Sequence, residues 1–413
     1  MITGVKSKAE EKVVQHQRLV TAKPQTVRHL NRAAVLDLIR QHQPLSRADL
    51  ARHSGIHRSN VSIIVEDLQK RGLLREERAK NGARGRTPTL ISLERGSFGV
   101  LGVNLRILRT TVSLASLDGH IESSYNFDTP KTPTAFVDAL QEACKTVTQT
   151  FDLSGRLRSV RQMVVSLPGI VNRTPGGGTT IWTPGLPKYS GYNLEAMIQQ
   201  RIGIPCLITN NAGLAAMAVL RSGEKQNENV NDFVLLVIGD VGVGAGVVIQ
   251  HHLYSGFDAA YAGEVGHTVI NPRGPLCNCG RRGCLQLYVC DAATWKRYNP
   301  RLEYSSGRFS EFLNEVNSGS PKALAAVNQT TEYLSLGISN IALTLNPEKI
   351  LLAGEMMKIW PVLEKKLKSA FFLPHHHALI QRVDSPVDVL FLRGAIERAL
   401  DMVLLDSSSR IPK

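Results

Sequence analysis

One histidine and three cysteines stand at metal-ligand spacing in GEVGHTVINPRGPLCNCGRRGCLQ, the stretch from Gly263 to Gln286. His267 is followed by nine residues, then Cys277, one residue, Cys279, four residues and Cys284. Gly280 and Gly283 supply the tight turns needed to fold three thiolates onto one ion. A borderline-soft ion suits a Cys3His set, and four protein ligands leave no open position, so the expected cofactor is a structural Zn2+ held by His267, Cys277, Cys279 and Cys284. Cys277 and Cys279 are too close to bridge each other comfortably, and elsewhere there are only Cys144, Cys206 and Cys290. Zinc is therefore preferred to a disulfide or a set of free thiols.

Strand and helix patterns alternate around this stretch from Phe98 onward. GVLGVNLR, TTVSLAS and GHIESSY read as three consecutive strands, followed by a helix over 133–151, a strand Met163 to Leu167, a helix over 194–202, a strand Cys206 to Ile208 and a helix after Asn211. Much the same order restarts at Asp232 with FVLLVIG, GAGVVIQ and HHLYSG, then the metal stretch, helices through Ala342, the strand KILLAG, a helix and the strand VDVLF. Two such sets predict two α/β lobes facing a cleft, over 97–210 and 211–393, with a last helix 394–405 crossing back to the first lobe. The apolar run from Phe233 to Ile249 contains Asp240 and four glycines and is short for a membrane span. It reads as two buried strands and a turn. His375, His376 and His377 read as an exposed turn rather than a second metal site.

The chain has 413 residues, 43% of them hydrophobic, and a net charge of +14. Residues 1–95 hold 19 Lys and Arg against 9 Asp and Glu, a net of +10, which leaves +4 for the other 318 residues. A small basic head on a nearly neutral body is the footprint of a nucleic-acid-binding module fused to something else. Residues 1–23 read as a flexible basic arm, and 24–96 as the module. In it Val27, Leu30, Ala34 and Leu38, with Val35 and Ile39, form an apolar helical stripe. Ser46 caps a second helix with Asp49 at its third position, Gly55 turns the chain, and a third helix runs from about Arg58 to Lys70. That grammar is a helix-turn-helix. His57, Arg58, Ser59, Asn60 and Ser62 open the recognition helix, where Arg58 suits guanine and Asn60 adenine. The strands Leu73 to Arg75 and Thr89 to Leu93 flank a basic, glycine-rich loop, a wing whose Arg84 and Arg86 would reach a minor groove.

The body resembles the ROK family (repressors, open reading frames and kinases), through GEVGH at 263–267 and CNCGRRGCLQ at 277–286. The helix-turn-helix and GRTPTLISL at 85–93 resemble that family's transcriptional repressors. The resemblance implies an N-terminal winged helix-turn-helix followed by an actin-like, ribonuclease H-like pair of ATPase-type lobes that binds a sugar between them. It implies sugar contacts at Asn210, Glu264 and His267, with Asn211 and Gln286 beside them and Gly169 and Thr183 at the mouth. It also shows what is missing. The kinases' catalytic base, an Asp, falls on Asn211, an amide that cannot take a proton with the needed strength. Their first phosphate loop falls on Asn104 to Leu108, where bulky side chains replace glycines. Gln286 replaces the usual Glu. The second phosphate loop, 242–246, keeps its glycines, which strands turning in a core also use.

The expected protein is thus a cytoplasmic, DNA-binding transcriptional repressor without kinase activity, bound as a homodimer or higher oligomer to a double-stranded operator and responsive to a sugar or sugar derivative. The alternatives are a sugar kinase with an appended DNA-binding domain, and a repressor controlled by a protein partner with a vestigial sugar cleft. A membrane span and a signal peptide are not expected.

Overall fold

The computed structural model describes residues 24–78, 89–152, 160–173, 177–222, 230–256, 261–370 and 380–405. Arg84, Arg86 and the three histidines at 375–377 lie outside the described residues.

The N-terminal module comprises α1 (Pro24–His42), β1 (Leu45–Ser46), α2 (Arg47–Ser54), α3 (Arg58–Lys70), β2 (Leu74–Arg78) and β3 (Thr89–Leu93). β1, β3 and β2 form an antiparallel sheet in that order. Its turns are written locally. Ser46 Oγ accepts from the Asp49 amide at 3.1 Å while Asp49 Oδ2 accepts from the Ser46 amide at 3.2 Å, a reciprocal cap on α2. Gly55 ends α2 in the left-handed conformation.

The first lobe follows with β4 (Gly99–Leu105), β5 (Arg109–Ser116), β6 (Ile121–Asp128), α4 (Pro133–Asp152), β7 (Val160–Leu167), β8 (Ile170–Asn172), β9 (Thr179–Trp182), α5 (Leu194–Ile202) and β10 (Cys206–Asn210). Its five-stranded sheet runs β10-β7-β4-β5-β6, antiparallel from β4 to β6 and parallel from β4 to β10. α6 (Asn211–Arg221) leads to the second lobe, with β11 (Phe233–Ile238), β12 (Val243–Ile249), β13 (His252–Leu253), α7 (Gln286–Val289), α8 (Asp291–Tyr298), α9 (Ser306–Asn317), α10 (Pro321–Leu345), β14 (Lys349–Ala353), α11 (Trp360–Ala370) and β15 (Ile380–Arg382). This sheet runs β13-β12-β11-β14-β15 with the same change from antiparallel to parallel pairing at its centre. The order of strands thus repeats between the lobes.

The last element, α12 (Val387–Leu405), corrects one expectation. VDVLF is the start of this helix, not a strand. Pro386 opens it by accepting from the amides of Val389 and Leu390, and Leu390 and Phe391 are buried together in the core of the second lobe. The alternating β-branched pattern lost to a helix start that Pro favours. α12 then packs on the first-lobe sheet and on α6.

α1 does not sit apart. Val35, Leu36 and Ile39 share one continuous core with Ala395, Ile396, Ala399 and Leu400 of α12. This partner, more than 350 residues away, sets which face of α1 is buried. Leu36 is buried although the expected stripe omits it, and Leu30, in that stripe, is 62% exposed.

Candidate functional site

His267 ends a one-turn helix, Val265–His267, and the three cysteines follow on the tight loop behind it. The amide of Cys277 donates to the Arg281 carbonyl at 2.7 Å and that of Gly280 to the Cys277 carbonyl at 2.9 Å, which curls the loop back on itself. One ligand atom from each of His267, Cys277, Cys279 and Cys284 lies within 4.8 Å of the others. Cys277 Sγ is 3.7 Å from His267 Nδ1, and the Sγ atoms of Cys279 and Cys284 are 3.5 Å apart. A tetrahedral ion with metal–sulfur bonds of about 2.3 Å would set its sulfurs roughly 3.8 Å apart. The four residues fit a metal ion. Burial, and then the charge of Arg281, hold the His267 imidazole below its ordinary value, keeping the ring neutral and able to ligate.

The ring nitrogen turned away from the cysteines points into the cleft. His267 Nε2 is 3.8 Å from Glu264 Oε2, and Glu264 Oε1 accepts from Asn210 Nδ2 at 3.3 Å. Asn210 also caps α6, its Oδ1 accepting from the Ala212 amide at 2.8 Å, and its Nδ2 donates to the Gly169 carbonyl at 2.9 Å. Asn211 follows as the first residue of α6, half-buried. Burial pushes the Glu264 carboxyl up to about 7. Asn210, Glu264, His267 and Gly169 therefore meet at one place, where strand end, helix cap and metal loop converge.

Two expected contacts are engaged elsewhere. Thr183 is buried, donating to the Leu186 carbonyl at 2.6 Å and paired with Ser190 Oγ at 3.1 Å, so its hydroxyl holds a turn. Gln286 faces the metal cluster, its Nε2 donating to Cys277 Sγ at 3.4 Å. An amide can make that bond; a carboxylate could not, so the exchange of Glu for Gln supports the metal loop. Sequence analysis did not single out Trp182, whose ring lies 5.0 Å from the His267 ring, edge-on, and brings an aromatic wall to the site. Its place beside Thr183, already assigned to the mouth, was the available signal.

A second polar bridge joins the lobes. Arg106, at the β4–β5 turn, donates to Asp388 Oδ1 at 2.6 Å and pairs with Asp240 at 3.6 Å, so it spans both lobes and α12. Asn104 Nδ2 donates to the same Asp388 oxygen at 3.2 Å. Nearby, Asp291 is 1% exposed and neither of its carboxylate oxygens has a hydrogen-bond partner among the described residues. Burial, then Asp240 and Glu355, push its carboxyl far above the ordinary range, which favours the neutral acid. Of the glycines in 242–246, Gly244 and Gly246 serve packing against α6. A Cβ on Gly246 would lie 2.3 Å from Ala216 Cβ and 2.6 Å from the Ala212 carbonyl, so β12 and α6 touch backbone to backbone. Gly246→Ala is expected to cost about 1–3 kcal/mol, the usual range for overpacking. A fall in the urea midpoint at unchanged slope would register it.

In the N-terminal module, His57, Arg58, Ser59 and Asn60 are exposed in sequence at the start of α3, with Ser62 half-buried behind them. His57 caps this helix, and its Nδ1 lies 2.8 Å from Ser59 Oγ. Val61, Val65 and Leu68 bury the other face.

Residues 100–383 match the ROK family, more than half of the chain. The chain belongs to the ROK family. Residues 26–85 match the MarR family, so a MarR-type winged helix precedes the ROK body. Similar relatives are the xylose repressor of Bacillus subtilis (strain 168), 26% identical over 353 residues spanning 83% of this chain and 86% of that protein, and the N-acetylglucosamine repressor of Escherichia coli O157:H7, 27% identical over 353 residues spanning 83% and 84%. Among solved structures, a ROK family transcriptional regulator described as a homolog of the E. coli MLC protein superposes with a TM-score of 0.74 at 24% identity, covering 92% of this chain and 98% of that one. A ROK family glucokinase from Streptomyces griseus, in complex with glucose and AMPPNP, gives 0.60 at 21% identity, covering 73% and 99%. These two likenesses establish the fold: the glucokinase fits the ROK body, and the regulator spans body and winged helix.

Proposed function

We propose that this ROK protein is a DNA-binding transcriptional repressor whose body senses a sugar or sugar derivative and has no kinase activity. The observation that carries the reading is the union of an exposed recognition helix with the Asn210, Glu264 and His267 constellation, while Asn211 stands where a kinase would need its base and Arg106 bridges the two lobes. Glu264, Asn210 and Asn211 offer an acceptor and two amides for hydroxyl groups, and Trp182 offers an apolar face. The Cys3His cluster is read as a structural Zn2+ site that fixes His267, and through it the sugar side of the cleft. Arg58 and Asn60 would read bases, with Arg84 and Arg86 in the wing beside them. Two-fold operators make a homodimer the expected DNA-bound form, and a cytoplasmic location follows from the same role. No helix among the described residues is long and apolar enough to cross a membrane.

Restoring the base tests the claim about catalysis. Wild type and Asn211→Asp are both expected to show no sugar-dependent ATP turnover with D-glucose, D-xylose or N-acetylglucosamine, because Asp240 and Asp388 occupy the Arg106 guanidinium and would repel phosphates, and no residue at 104–108 offers a bare backbone cradle. A coupled ADP-release assay decides it. Turnover by the wild type above the no-sugar background would make the kinase reading correct, and turnover by Asn211→Asp alone would show that the cleft still admits ATP.

A further inference from the structure

We infer that a cluster of five charged residues on α1, α6 and α12 is the junction through which the DNA-binding module reads the state of the cleft, an inference that rests on the proposal of a sugar sensor. Both body helices run from the cleft to α1. α6 begins at Asn210, whose amide holds Gly169 and Glu264, and ends eleven residues later at Arg221. At 1.5 Å per residue it carries a displacement over about 16 Å. α12 has Asp388, the anchor of Arg106, in its first turn, and Glu397 and Asp401 towards its other end. The two helices meet at Gly394, where a Cβ would lie 1.8 Å from the Leu214 carbonyl oxygen. Backbone contact that close makes them move together.

α1 completes the cluster with Asp37 and Arg40. Arg221 reaches Asp37 Oδ1 at 2.5 Å and Asp401 Oδ1 at 3.5 Å. Arg40 reaches Asp401 at 2.9 Å, Asp37 at 3.4 Å and Glu397 at 3.5 Å. Its side chain is 7% exposed, so these attractions are little screened by water or salt. Both arginines share Asp37 and Asp401. A shift of α6 or α12 therefore changes which carboxylate each arginine meets, whereas the apolar contacts of Val35 and Ile39 tolerate small slides. The ligand's differential affinity for two cleft arrangements supplies the free energy, and the charge cluster converts it into a change at α1.

Asp37→Asn and Arg221→Met in the full chain remove the polar tie and leave the cleft and the recognition helix untouched. The DNA is a duplex selected by the wild-type protein from a random library, and the sugars are D-xylose, D-glucose and N-acetylglucosamine. For a sugar that changes wild-type DNA affinity tenfold or more, both variants are expected to bind it within threefold of wild type while its effect on DNA affinity falls below twofold. A sugar effect retained in full by either variant overturns the junction. Should no sugar bind the wild type, the sensor proposal fails on its own, and hydrogen exchange of the α1 amides reads the junction instead. Asn210→Asp keeps the cap oxygen but loses the bonds to Gly169 and Glu264. It is expected to change α1 exchange at least threefold in the wild-type background, and an unchanged α1 rules the junction out. The same comparison serves if Asp37→Asn or Arg221→Met fails to fold.

Discussion

Replacing Cys284 by Ser is expected to lower the melting point by about 10 °C and to abolish sugar binding. Cys284 is fully buried and pairs across the loop with Val269, so it is both a candidate ligand and the point where the loop closes on itself. Few apolar side chains hold that loop: Val269 and Leu276 are exposed, and the polar turn at 277–281 has the cysteines as its inward residues. A bound ion would be its cross-link. Losing a structural ion from a folded lobe costs roughly 4 kcal/mol or more. At about 2–4 °C per kcal/mol for a unit of this size, the loss is visible in any thermal scan. Sugar binding is expected to go with it, because His267 stands between the cysteine cluster on one side and Glu264 and Trp182 on the other. Prolonged chelation of the wild type should reproduce both effects without a mutation. A metal-free protein that melts within about 2 °C of the untreated sample would refute a structural ion.

Arg58→Ala and Asn60→Ala are expected to weaken operator binding roughly five- to hundredfold each, the range for one bidentate base contact of about 1–3 kcal/mol. Both side chains are exposed and leave the Val61, Val65 and Leu68 face intact, so melting should not change. The two losses should differ from that of a phosphate contact. A base-reading variant loses discrimination between the selected duplex and random DNA, while a phosphate-contact variant weakens both and flattens the salt dependence. Fluorescence anisotropy with both duplexes at two salt concentrations separates these outcomes. Equal loss on both duplexes would move Arg58 and Asn60 from the bases to the backbone.

What was legible in the sequence was what lies close along the chain. The His267 to Cys284 spacing, the Ser46–Asp49 cap and the Gly55 turn are each complete within one short stretch of chain, and each has a local physical reason to be where it is. The repeated order of strands was legible because alternation and turns are local too. The Asn210–Glu264 contact came only through family resemblance, since 54 residues separate the pair. Arg106 with Asp388 lies further out of reach, at a separation of 282 residues, and its role depends on where α12 begins. That helix start was itself misread, because V-D-V-L-F alternates like a strand and only the Pro386 carbonyl and a distant core show otherwise. Gln286 illustrates a subtler gap. The lost carboxylate was evident, but whether the amide turns to the sugar or to sulfur depends on the fold of the loop around it.

The most direct test is the affinity of the full-length protein for its selected duplex, measured by anisotropy with and without a sugar that raises its melting point, across a range of salt. At saturating sugar the affinity is expected to change at least tenfold, and with rising salt to decline steeply, with a logarithmic slope of about −0.9 for each phosphate neutralised. A sugar that binds tightly yet leaves DNA affinity unchanged, or DNA binding indifferent to salt, would overturn the reading of a sugar-sensing repressor.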